Sequence, residues 1–115
     1  MKKDDTVYLR HILDAIAQIE LYLQGVSREH FLRTKLLQDG VVRQLEIIGE
    51  ASRNLSDELR QRHPEVPWSQ IISLRNRVIH AYFNVSVEIV WEIAQNDLPV
   101  LRSQIKSILT ELAGS

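Results

Sequence analysis

Between residues 73 and 83 the chain reads SLRNRVIHAYF, which places an arginine, an asparagine, an imidazole and a phenol close together: Arg75, Asn76, His80 and Tyr82. That set of groups can work on a phosphate ester. A guanidinium presents a planar fork of donors to phosphate oxygens, an amide adds one more donor, and an imidazole exchanges protons near neutral pH. The phenol supplies either a nucleophilic oxygen or a hydrogen-bond donor at the rim.

The spacing sharpens this. With Arg75 set at 0° and 100° per residue, Ile71, Ile72, Leu74, Val78, Ile79, Ala81 and Phe83 spread from about 240° through 0° to about 80°. Arg75, and Tyr82 at about 340°, fall inside that apolar stripe, one above the other at i, i+7. Asn76 and His80, at about 100° and about 140°, are i, i+4 neighbours along its border. An arginine buried there without a partner costs on the order of several kcal/mol, so it needs an anion. Two sources stay open: a carboxylate of the protein, Glu46 or Glu50, with Tyr82 hydrogen-bonding across the core; or the phosphate of a ligand. Arg77, about 200° round, points away from Arg75 and reads as a surface or substrate-backbone contact.

The elements that must position these residues are helical. From Asp5 to about Gln24 the residues Leu9, Ile12, Leu13, Ile16, Ile19 and Leu23 recur every three or four positions and line one face of an amphipathic helix that Gly25 ends. Ser27 suits the N-cap of a short segment from Arg28 to about Leu32. Val41, Leu45, Ile48, Leu55 and Leu59 predict a second long helix over about 35–62, with Gly49, Ala51 and Ser52 small enough for close approach and "NLSDE" able to fray or restart it near Ser56. "HPEVPW" stops that helix, Pro67 suiting the first turn of the next, over about 68–83. Ser86 is the expected N-cap of a last helix over about 87–112, which Pro99 should kink or break in two. No alternating strand pattern, glycine-rich phosphate loop or internal repeat is present. The expected fold is therefore all-α, an antiparallel bundle of four main helices plus a short segment, in one domain spanning 1–115.

Composition narrows the function classes. The chain has 115 residues, 44% of them apolar and 25% charged, which is enough for one core. Without cysteine it has no disulfides or thiolate metal sites, and a cytoplasmic location is the simplest expectation. "MKKDDTVYLR" is not followed by a signal-type apolar run, and no segment approaches the roughly 20 apolar residues a bilayer span requires, so neither export by that route nor membrane insertion is expected. A net charge of −1 argues against nonspecific coating of nucleic acid, though not against a local basic cleft. Arg28, Arg33, Lys35, Arg43 and Arg53 are candidates for such a basic track, or simply a solvated helix face. His11, His30 and His63 lack metal-ligand spacing, and no second acidic pair joins Glu46 and Glu50, so no metal or other cofactor is expected. Glu46 and Glu50, at i, i+4, could anchor Arg53 or Arg75. Trp68 and Trp91 read as core or interface anchors.

Arg75-Asn76-Arg77-Val78-Ile79-His80-Ala81-Tyr82 fits Arg-x4-His-x-Tyr, and together with "YLRHILDAI", "EHFL", "QLEIIGEA", "HPEVPW" and "VWEIAQNDLP" it makes the chain resemble the HepT-type toxins of the HEPN superfamily over nearly its whole length. The resemblance implies a metal-independent endoribonuclease that acts at a homodimer cleft, the toxin of a type VII-like toxin–antitoxin pair. It further implies that Arg75 holds the scissile phosphate of an RNA substrate, His80 is the general acid or base, and Asn76 orients phosphate or imidazole. Tyr82 would be the acceptor of AMP from an MntA-like nucleotidyltransferase antitoxin, a modification that silences the toxin. The alternatives are a noncatalytic HEPN module that binds a nucleotide or a partner, and a bundle that serves assembly alone with Arg75 neutralised internally.

Overall fold

The computed structural model describes residues 4–77 and 86–114, all of whose regular secondary structure is helical. The first helix, α1, is Asp5–Leu23. Asp4 caps it, accepting from the Thr6 amide at 3.0 Å and from the Thr6 hydroxyl at 2.6 Å, and that hydroxyl bond above all holds its carboxyl below the usual carboxylate range. Gly25 closes α1 in the left-handed region, at φ 73°, where a side chain would be strained. Ser27 then accepts from the His30 amide at 3.1 Å to start α2, Arg28–Arg33, as its hydroxyl and position predict.

Two carbonyls in the last turn of α2 accept from side chains. Thr34 Oγ1 donates to the His30 oxygen at 2.6 Å, and buried Gln38 Nε2 donates to the Phe31 oxygen at 3.0 Å. The helix expected over 35–62 takes its broken form: α3 is Lys35–Arg53 and α4 is Asp57–Arg62. Ser56 causes the restart, because its Oγ accepts from the Leu59 amide at 3.1 Å. Asp5 fixes that cap from across the molecule, accepting from the Ser56 amide at 2.9 Å and from its hydroxyl at 2.7 Å.

Pro67 occupies the N-cap of α5, Trp68–Ile72, rather than its first turn. The single helix expected over 68–83 is interrupted: Ser73 forms a turn and helical geometry resumes over 74–77, with the remainder outside the described residues. Ser86 stands at the N-cap of α6, Val87–Glu92, although its side chain makes no capping bond.

Pro99 neither breaks nor simply kinks the last helix. A π turn, Ile93–Asp97, joins α6 to α7, Leu98–Gly114, and the Leu98 amide donates to the Ile93 carbonyl five residues back. In an α-helix Ile93 and Leu98 would face about 140° apart; the wider turn lets both bury at 4% and 3% exposure while absorbing the proline's missing amide.

The predicted apolar stripes converge on one core: Leu9, Ile12, Ile16 and Ile19 of α1 meet Val41, Leu45 and Ile48 of α3, all 0–1% exposed. Burial of each such side chain contributes roughly 1.5–3 kcal/mol. The α1–α3 pair is the main packing contact; α7 covers α1, while α5 and α6 lie against α3. Trp68 is buried with Nε1 donating to the His63 oxygen at 2.9 Å, and half-buried Trp91 packs on Phe31 at 5.3 Å between rings.

Candidate functional site

The site is built where α5 crosses the C-terminal half of α3. The Trp68 bond to His63 fixes the start of α5, and the buried side chains of Ile71 and Leu74 pin the turn that follows. Gly49 of α3 lets this backbone approach closely. Across the turn the Arg77 amide still donates to the Ser73 oxygen at 3.0 Å, which closes a helical turn over 73–77.

Arg75 is exposed. It lines two neighbouring cavities: a groove of about 730 Å³ between α3, α4 and α5, and a recess of about 350 Å³ between α1 and α3. The expectation of an arginine inside an apolar stripe is therefore corrected. The 100° count assumed an unbroken helix, whereas Ser73 lies in a turn; Val78, Ile79, Ala81 and Phe83, the rest of that stripe, lie outside the described residues. Nor does a carboxylate neutralise it. Glu50 and Glu46 line the recess with Arg75, but among the described residues Arg75 makes no ion pair, and Glu50 instead stands 3.8 Å from Arg53 one turn along its own helix.

Asn76 is exposed in the larger groove beside Arg75, while Arg77 lines a separate cavity with Leu74 and Asp97, as its angular position predicts. His80 and Tyr82 lie outside the described residues. Of the expected site, Arg75 and Asn76 are brought together.

The basic track resolves into parts. Arg53 lines the groove and Arg43 the recess, whereas Arg28, Arg33 and Lys35 border neither. Sequence reasoning missed Arg60, Gln61 and Ser69, which α4 and α5 bring into the groove. The only linear hint was Ser56 as a possible restart, which turns the next six residues into a helix with its own face. His11 stacks edge-on against Tyr8 at 6.0 Å, and His30 is exposed. Buried His63 has Glu65 at 3.4 Å from Nδ1 and Glu111 at 3.9 Å from Nε2; the two carboxylates flank opposite ring nitrogens, so they cannot join it around one ion.

The groove can hold an anion. Arg53, Arg60 and Arg75 line it against only two carboxylates, Glu50 and Asp57, with Asn76, Gln61 and Ser69 as further donors.

Residues 12–108 match the family model described as "Ribonuclease HepT-like". The chain is 39% identical over 108 residues to "Probable ribonuclease HepT" of Thermococcus cleftensis, covering 94% of this chain and 98% of that protein. It is 42% identical over 102 residues to a "Putative RNase" of Caldanaerobacter subterraneus subsp. tengcongensis, covering 89% and 91%. It is also 40% identical over 112 residues to "Gamma-glutamylcyclotransferase and putative RNase" of Methanocaldococcus jannaschii, covering 97% of this chain but 50% of that longer protein. No solved structure matches the chain.

Proposed function

This chain belongs to the HepT-like ribonuclease family, and from that premise we propose that it is a metal-independent endoribonuclease that cuts RNA at Arg75 and His80. The observation that carries the reading is Arg75 itself: an exposed guanidinium, with no ion pair among the described residues, on a groove that Asn76 shares, five positions before His80. Unlike Arg53 and Arg60, which stand against Glu50 and Asp57, Arg75 has its whole charge open to a phosphate.

Arg75 neutralises the scissile phosphate and stays with it as charge builds on the non-bridging oxygens. His80 acts in proton transfer, as base toward the 2′-hydroxyl or as acid toward the departing 5′-oxygen. When the 2′-oxygen forms its bond to phosphorus the 5′-oxygen bond breaks, leaving a 2′,3′-cyclic phosphate and a 5′-hydroxyl. Asn76 orients the phosphate or the imidazole. Two copies of Arg-x4-His facing one cleft in a homodimer would supply an acid and a base together. The protein would be the toxin of a toxin–antitoxin pair, silenced when an MntA-like nucleotidyltransferase adds AMP to Tyr82, since bulk and negative charge beside His80 repel the RNA backbone.

Purified protein should cut RNA in the presence of EDTA, and a 2′-deoxy substitution at the cut position should block cleavage there. His80→Ala should abolish cutting with far-UV circular dichroism and native mass unchanged. A His80→Ala protein that still cuts removes the role assigned to the imidazole, and a wild-type protein that binds RNA without cutting it favours the noncatalytic binding module.

A further inference from the structure

We propose that the groove between α3, α4 and α5 carries the RNA strand away from the scissile phosphate, with Arg60 and Arg53 holding neighbouring phosphates; this rests on the ribonuclease reading above.

Three observations carry it. The groove is continuous with Arg75 and Asn76, so a strand whose reacting phosphate meets Arg75 has its adjoining backbone there. Its volume, about 730 Å³, is of the size that encloses a small ligand rather than a single ion. Its charge is also incompletely answered by the protein. Arg75 has no carboxylate among the described residues, and Arg53 and Arg60 each touch only one, Glu50 at 3.8 Å and Asp57 in hydrogen-bond contact, both of them exposed enough for a strand to share the guanidinium.

Arg60 is the telling residue. Its side chain is only 26% exposed, and its Nε is withdrawn from solvent with no acceptor among the described residues. A guanidinium that has given up much of its water and is held by a single exposed carboxylate can offer its terminal nitrogens to a phosphate, and at that depth its charge is screened less than that of a surface arginine. Asp57, 85% exposed, holds it through one terminal nitrogen only. Because every RNA carries phosphates at a regular spacing, contacts of this kind set affinity without reading sequence.

The test measures binding of a fluorescent, uncleavable 2′-O-methyl oligoribonucleotide across a salt series, with cleavage of the all-ribose strand in parallel. Arg60→Gln and Arg53→Gln should each weaken binding roughly 3- to 10-fold and flatten the dependence of log Kd on log salt by about 0.7. In cleavage the loss should appear in KM more than in kcat. Gln61→Glu places a negative charge on an exposed groove position without removing a partly buried group, so it should weaken binding even if Arg60→Gln folds poorly; Arg28→Gln, on α2 away from the groove, should match wild type. Wild-type Kd, KM and salt slope in the Arg53, Arg60 and Gln61 variants overturn the proposal while leaving the nuclease intact. The proposal is equally overturned if those variants keep RNA binding and lose only the binding of the antitoxin. If the wild type never cuts RNA but the variants still lose binding, the strand path stands and the nuclease reading fails.

Discussion

Gly49 and Ile71 meet closely across the α3–α5 junction: a Cβ on Gly49 would stand 3.1 Å from the Ile71 carbonyl oxygen, tighter than side chains ordinarily allow, and at an ordinary 3.5 Å from the Arg75 nitrogen. The reach of Arg75 over its groove therefore depends on a missing side chain in another helix. The tight neighbour is a backbone oxygen, which cannot rotate aside as a side chain does.

Gly49→Ala decides between two opposed effects. Alanine in a helix interior is favoured over glycine by about 1 kcal/mol, while overpacking a close backbone contact costs about 1–3 kcal/mol. The contact should win: urea denaturation should show a net loss of stability, and RNA cleavage should fall as the 73–77 segment is pushed outward. A raised denaturation midpoint with unchanged cleavage would show that the junction gives way freely.

Arg75→Ala should leave the stability of the fold within about 0.5 kcal/mol of wild type, because the side chain is exposed and has no ion pair among the described residues. It should nonetheless eliminate cleavage. A destabilisation of several kcal/mol would instead identify an internally neutralised arginine, the behaviour expected of a bundle built only for assembly.

Ser52 is fully buried in α3 and its hydroxyl has no hydrogen-bond partner among the described residues. Replacing a buried, unsatisfied hydroxyl by a methyl-sized group removes a desolvation cost, so Ser52→Ala should stabilise the protein by about 1 kcal/mol in thermal or chemical denaturation. Loss of stability in that variant would reveal an ordered water bound to the hydroxyl.

Tyr82 is tested by mass. If the proposed regulation holds, protein co-expressed with an MntA-like nucleotidyltransferase should gain one or more AMP increments that peptide mapping places on Tyr82, and Tyr82→Phe should gain none there while escaping neutralisation. Increments confined to another residue would remove Tyr82 from the regulatory role.

Helix existence and the inward faces were legible in the sequence because burial follows a 3.6-residue period: Leu9, Ile12, Ile16 and Ile19, and likewise Val41, Leu45 and Ile48, are buried as their spacing requires. Local capping chemistry was legible too, since the hydroxyls of Ser27 and Ser56 reach amides only three residues ahead. The π turn before Pro99 was not, because a proline requires only that its missing amide be accommodated, and core packing of Ile93 and Leu98 selects the means.

By itself, then, the sequence determined an all-α chain, the family to which it belongs and the pairing of Arg75 with Asn76 near one surface; these depend on interactions a few residues apart or on a linear motif. Tertiary structure alone decided that Arg75 is exposed rather than sunk in an apolar stripe, and that Arg60, Gln61 and Ser69 share its groove. Both outcomes turn on where α4 and α5 dock, which the Asp5–Ser56 bonds and the bare backbone of Gly49 set from positions distant along the chain. Periodicity fixes which face of a helix is apolar, but only docking fixes what that face and its neighbours meet.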